Sequence, residues 1–189
     1  MIPKTIKDPM VLIQNQARDI LYNEGYKDFS IRKIAKASGV SVGTIYNYFS
    51  TKEELLVCLM MEYWEKYYDG LEQIDREEKG IFVKIQRMSE ELNAFVRTFQ
   101  QVWLDFNEKG ISKSIQQNRQ EEKNYFTRLI CKVEKMLSRE PTILQRLNDL
   151  NLDVNEIAHL IVMNLVMIAQ FKNNVEYKSF EKVLRAILE

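Results

Sequence analysis

The stretch that decides the fold runs from residue 26 to residue 55. It reads Tyr26-Lys-Asp-Phe-Ser30-Ile-Arg-Lys-Ile-Ala35-Lys-Ala-Ser-Gly39-Val40-Ser-Val-Gly-Thr44-Ile-Tyr46-Asn-Tyr48-Phe49-Ser-Thr-Lys52-Glu-Glu-Leu55. Two short helical patterns are joined by one glycine, the arrangement of a helix-turn-helix. Ile31, Ile34 and Ala35 form an apolar face, and Ser30 can cap that helix by accepting a hydrogen bond from a first-turn N–H. Gly39 can end it, because only glycine takes positive φ without steric cost. Val40 packs the turn, and Ser41 can cap a second helix whose Ile45 and Phe49 face inward. The outward residues Val42, Thr44, Asn47 and Tyr48 are mostly small or polar, as residues facing a nucleic-acid groove tend to be.

These residues resemble the TetR family of bacterial transcription regulators. The stations are Gly25-Tyr26, Ser30-Ile31, Ile34-Ala35, Gly39-Val40-Ser41, Gly43-Thr44-Ile45-Tyr46, Tyr48-Phe49 and Lys52-Glu53-Glu54-Leu55, spread over about a sixth of the chain. One departure is Val42, where many relatives carry a basic or small polar residue. The resemblance implies an N-terminal DNA-binding domain over residues 1–50 and a helical ligand-binding and dimerisation domain over 51–189. It also implies DNA contacts from Ser30, Ser41, Val42, Thr44, Tyr46, Asn47, Tyr48 and Lys52. Among these, Thr44, Tyr48 and Lys52 are expected on phosphates. Base reading is expected chiefly from Ser41, Val42, Thr44, Tyr46 and Asn47.

Composition agrees with an all-α class. Among 189 residues, glycine (6) and proline (3) are scarce, and no β-branched run alternates with polar residues. Net charge is zero, yet residues 26–52 carry Lys27, Arg32, Lys33, Lys36 and Lys52 against Asp28, a local +4 on a remainder of −4. A basic patch on an otherwise acidic chain is the footprint of a DNA reader that does not coat nucleic acid indiscriminately, although charged helix surfaces are common in any protein. The start of the chain lacks a secretory pattern, and the apolar run from Ile157 to Phe171 is too short to span a bilayer, so a cytoplasmic protein without membrane contact is expected. Cys58 and Cys131 share no metal-site spacing and are expected as buried, reduced thiols.

Helical periodicity continues along the chain. Asp8-Pro9 opens a first helix with a cap and a first-turn proline; Met10, Ile13, Ala17, Ile20 and Leu21 form its stripe, and Gly25 closes it. After the motif, Thr51 with Glu54, or Ser50 with Glu53, fits a capping box for a long fourth helix through Ile74. That helix joins head to body without a flexible linker. Further helices are read from Ile81 to Gly110, from Tyr125 to Leu137, over Thr142–Leu150, about Val154–Asn173 and over Lys178–Leu188, making about nine. The polar stretch from Gln116 to Asn124 reads as a loop or as the solvated face of a helix.

The helix around Ile157–Phe171 is apolar nearly all round and must be covered on every side. The last helix adds a stripe of Phe180, Val183, Leu184 and Ile187. Packing of both helices against their copies in a second chain resolves this, through Ile161, Met163, Leu165 and Ile168 with the four residues of the last helix. The family resemblance implies the same homodimer, through a four-helix bundle.

No phosphate loop, zinc-protease helix or nucleophile elbow is present, and His159 lies in the apolar helix as a packed or interface imidazole. An enzyme on a helical scaffold is therefore remote, and neither cofactor nor metal is expected. Trp64, Tyr67, Tyr68, Phe95, Phe99, Trp103, Phe106, Tyr125, Phe126, Met163 and Met167 sit on helices that can surround a shared interior. Such side chains line adaptable apolar pockets and equally build ordinary cores. The family implies a small-molecule pocket there, and the scarcity of charge points to a hydrophobic or aromatic ligand. The expected function is a repressor released from a palindromic operator by that ligand. The alternative is a DNA-binding dimer controlled by a protein partner or by no effector.

Overall fold

The structure, a computed structural model, describes residues 8–108, 113–171 and 174–189, with side chains placed for 8–97, 99, 125–170 and 176–189. Among the described residues all regular structure is helical. The elements are α1 (Pro9–Asn23), α2 (Ile31–Ser38), α3 (Val42–Tyr48), α4 (Lys52–Arg76), α5 (Ile81–Glu108), α6 (Lys113–Leu137), α7 (Pro141–Asp149), α8 (Val154–Phe171) and α9 (Asn174–Leu188). The polar stretch 116–124 belongs to α6, so of its two readings the helical one holds. No single described helix is long and apolar enough to cross a membrane.

The chain divides into two compact units. One comprises the residues up to Tyr63 together with Thr98–Gln116; the other comprises Trp64–Arg97 and Gln117–Glu189. In the first, α1, α2 and α3 pack on one another. Ile13, Ala17, Ile20 and Leu21 recur at helical spacing on α1 and are buried with Phe29, Ile34 and Ile45. Leu55, Leu56 and Leu59 from the start of α4 join them in the core.

In the second unit α9 packs on both α7 and α8. The α8 helix buries Ile157, Ala158, Ile161, Val162, Leu165 and Ile168, while Leu160, Met163 and Met167 on its other side remain exposed. One chain therefore covers only part of this apolar helix.

A buried carboxylate ties three helices of this unit together. The Asp75 side chain near the end of α4 is only 6 % exposed. Its Oδ2 accepts from Lys132 Nζ at 2.7 Å and Arg139 Nη1 at 2.9 Å. Lys84 Nζ of α5 donates to the Asp75 carbonyl at 2.7 Å. Burial pushes the Asp75 carboxyl up, but the hydrogen bonds from Lys132 and Arg139 outweigh it and hold the pKa below the ordinary carboxylate value. A depressed folded pKa contributes stability above the unfolded value, near 4, that is lost as pH falls through the folded one. Asp75→Asn should thus cost about 2–3 kcal/mol at neutral pH, because Lys132 loses a buried counter-charge but keeps Glu72 at 2.8 Å. Thermal melts of wild type and variant should begin to draw together only as pH falls below about 4 and to meet below the depressed folded value; a gap that stays constant with pH would show that charge is not what the site supplies.

Candidate nucleic-acid interface

Local hydrogen bonds build the head as the sequence dictates. The Ser30 hydroxyl caps α2 by accepting from Lys33 N at 3.3 Å. Gly39 ends α2 at φ 66°, in the left-handed region, and Val40 N donates back to Ala35 O at 3.1 Å. Ser41 Oγ then accepts from Thr44 N at 3.0 Å and lies 2.8 Å from the Thr44 hydroxyl. These caps turn α3 so that Ile45 and, just beyond its end, Phe49 are buried, while Ser41, Val42, Tyr46, Asn47 and Tyr48 are exposed and Thr44 is half-buried. All of them lie on the short helix or its cap. Ser30 is set apart at the start of α2, its hydroxyl engaged in the cap.

Lys52 is the first residue of α4. Thr51 Oγ1 accepts from Glu54 N at 3.0 Å, and Glu54 Oε2 accepts from Ser50 N at 2.7 Å. Of the two capping pairs read from the sequence, the Thr51–Glu54 pair forms, with its return bond taken one residue earlier. The Lys52 ammonium stands over the Tyr26 ring, 4.2 Å from its centroid, and 5.6 Å from that of Phe29. Lys33 is engaged differently: its ammonium is held by Glu24 and Asp28, which raise its pKa. The exposed cations of α2 and its approach are then Lys27, Arg32 and Lys36. Counting charges in a window missed Glu24 because that residue lies just outside it.

The head is fastened to the first turns of α4 along one face of α1. Gln14 Nε2 donates to Cys58 Sγ at 3.1 Å, and Arg18 Nη2 donates to both Glu62 oxygens at 2.8 and 2.5 Å. Tyr22 meets Tyr63 edge-on at 6.1 Å, and Phe99 of α5 packs on both, at 6.4 Å from Tyr22 and 5.8 Å from Tyr63. Burial pushes the Tyr22 hydroxyl up to about 12.

Of the residues read as a ligand pocket, the structure gathers six in the second unit. The Trp64 ring lies 4.4 Å from Phe95, 5.7 Å from Tyr67, 5.9 Å from Phe126 and 6.3 Å from Tyr68; it stacks on Tyr125 at 5.6 Å. The Tyr68 hydroxyl donates to the Tyr125 carbonyl. Phe99 belongs with Tyr22 and Tyr63 instead, Met163 and Met167 are exposed on α8, and the side chains of Trp103 and Phe106 lie outside the described residues. A groove of about 490 Å³ opens beside the cluster, between an acidic row on α4 (Glu65, Asp69, Glu72) and a basic row formed by Arg128, Lys132 and Lys135 of α6 with Arg139 just beyond its end. Tyr68 and Cys131 also line it, so Cys131 is exposed rather than buried, and Cys58 is half-buried.

The residues read as a dimer face fall into two sets. Ile161, Leu165, Ile168 and Leu184 are buried within the chain; Met163 and Val183 are exposed, and Phe180 and Ile187 are half-buried. His159 shares the exposed side of α8 with Leu160, Met163 and Met167, one ring nitrogen 2.9 Å from Asn155 O.

A capped helix-turn-helix with exposed polar residues on its second helix has the form of a DNA-reading module. Comparison with known proteins agrees. Residues 13–58 match the sequence model of bacterial regulatory proteins, tetR family. It is 37 % identical over 68 residues to the fatty acid metabolism regulator protein of Bacillus subtilis, a match over 36 % of this chain and 34 % of that one. It is 38 % identical over 55 residues to the HTH-type transcriptional regulator PksA of the same organism, over 29 % and 27 % of the two chains. The matched region thus spans about a third or less of these curated relatives.

Among solved structures, similarity extends over nearly the whole chain. The FadR regulator from Bacillus subtilis, crystallised with stearoyl-CoA, gives a TM-score of 0.61 at 18 % identity, over 95 % of this chain and 97 % of that one. A TetR transcription regulator from Haloarcula marismortui gives 0.62 at 14 % identity, over 97 % of each. At such identities the likeness establishes the fold.

Proposed function

We propose that this chain is a homodimeric, TetR-type DNA-binding repressor, released from a palindromic operator by a small hydrophobic ligand. The observation that carries the reading is the capped α3 with Ser41, Val42, Tyr46 and Asn47 exposed together at the surface of the head. Asn47 can pair bidentately with adenine, while Tyr48 and Lys52 hold phosphates beside the amino-terminal N–H groups of α4. The α8 face of Leu160, Met163 and Met167, with Val183 of α9, is where a second copy packs. A ligand acts by parting the aromatic rings around Trp64. The stearoyl-CoA in the Bacillus subtilis FadR crystal makes a long acyl chain the first class to test. The Trp64–Tyr68 segment and Lys52 lie on one continuous helix, α4, and α1 is fastened to that helix by Arg18–Glu62 and Gln14–Cys58. Displacing the rings moves the head by turning this helix. Ligand and operator must then weaken each other's binding by the same factor.

Two substitutions separate phosphate holding from base reading. Lys52→Ala should weaken binding to all duplexes alike and lower the salt slope by about one. Asn47→Ala should relax preference at one position per half-site, at about 1–3 kcal/mol of lost discrimination. Both are read by titrating labelled operator and random duplexes over a range of salt. An Asn47→Ala protein that keeps the wild-type consensus would remove Asn47 from base reading.

A further inference from the structure

Lysine is an odd choice for the first position of α4. Aligned peptide dipoles make a helix's amino-terminal end positive, so a cation there is disfavoured, and the next two residues, Glu53 and Glu54, are the acids that helix stability selects. What stands opposite the Lys52 ammonium is a pair of aromatic faces, Tyr26 at 4.2 Å and Phe29 at 5.6 Å. A ring face carries negative charge density and attracts a cation electrostatically.

Tyr26 is itself held by the turn that carries it. Gly25 sits at φ 85°, a left-handed position that an L side chain rarely takes. Gly25 N donates to Ile20 O at 3.2 Å, Asp28 N to Gly25 O at 3.2 Å, and Phe29 N to Tyr26 O at 3.2 Å. The turn thus runs directly off α1, and the Phe29 side chain at its end is buried in the head core. The turn fixes the backbone from which the Tyr26 ring reaches Lys52, and a long flexible side chain resting on that ring gives up beforehand part of the freedom that phosphate binding would otherwise take from it.

We propose that Tyr26, backed by Phe29, is the positioning residue for Lys52: its ring holds the ammonium ready for a DNA phosphate at the amino terminus of α4. This rests on the DNA-binding reading above. The test is binding of the full chain to a labelled random duplex, for which no operator is needed. Tyr26→Leu should weaken binding roughly three-fold to ten-fold, whereas Tyr26→Phe, which keeps the ring face, should bind as wild type does. The Tyr26→Leu, Lys52→Ala double variant should bind no more weakly than Lys52→Ala alone. Where Tyr26→Leu impairs folding, phenylalanine and its progressively fluorinated analogues at position 26 preserve the shape of the ring while draining charge from its face. Affinity should fall stepwise along that series at constant thermal stability. A flat series, a series in which binding tightens, or single-variant effects that simply multiply would overturn the proposal. Wild-type affinity in Lys52→Ala would overturn the phosphate role of Lys52 and the proposal with it, which separates that failure from a failure of Tyr26 alone.

Discussion

Met163→Glu should give a folded monomer whose affinity for a palindromic duplex falls by about 10²–10⁴-fold, the advantage two linked recognition heads hold over one. The side chain is 47 % exposed in the single chain, so a glutamate there stays hydrated and the fold tolerates it. In a dimer packed through this face the same carboxylate is buried against Leu160 and Met167 of an apolar surface, without a partner, at a cost of several kcal/mol. Leu184→Glu provides the contrast. Leu184 is 1 % exposed within its own chain, so the charge is buried in the monomer and the loss is of folding, above about 4 kcal/mol. Sedimentation and circular dichroism distinguish the two outcomes. A folded Met163→Glu protein that remains dimeric would move the interface to another face.

Trp64→Ala should be the most destabilising single truncation in the aromatic cluster, at about 3–5 kcal/mol. Trp64 is 3 % exposed and its ring lies within 6.3 Å of Tyr67, Tyr68, Phe95, Tyr125 and Phe126. For a chain of this length the melting temperature should drop by roughly 6–20 °C. The hole left behind is shaped for an indole, and a ligand that binds only the folded state raises its stability by mass action. Added indole should therefore raise the melting temperature of Trp64→Ala and leave wild type unchanged. An equal shift in both would mean that the rings already part without the substitution.

What could be read in the sequence was what depends on near neighbours. Ser30, Gly39 and Ser41 act on residues two to four positions away, so cap, stop and second cap follow from residue type alone, as do the burial of Ile45 and the exposure of Asn47. Partners distant in the chain were not legible. The Lys52–Tyr26 and Arg18–Glu62 contacts join residues from different helices and turns, and nothing local marks them. Periodicity put Phe95 and Phe99 on one stripe, one turn apart. Only the fold shows that the first packs on Trp64 and the second on Tyr22 and Tyr63. In the same way the stripe on α8 identified an apolar helix, but which of its side chains one chain covers depends on how α9 lies across it. Charge counting found the basic head and overstated it, since Lys33 is held by Glu24 and Asp28.

The most direct test of the central claim is selection of binding sites by the purified protein from a pool of random duplexes. A two-fold dimer with one α3 per half-site predicts an inverted repeat, its half-site centres about 34–36 Å apart along the duplex or a multiple of that. Enrichment of a single asymmetric half-site, or of no sequence at all, would contradict the account.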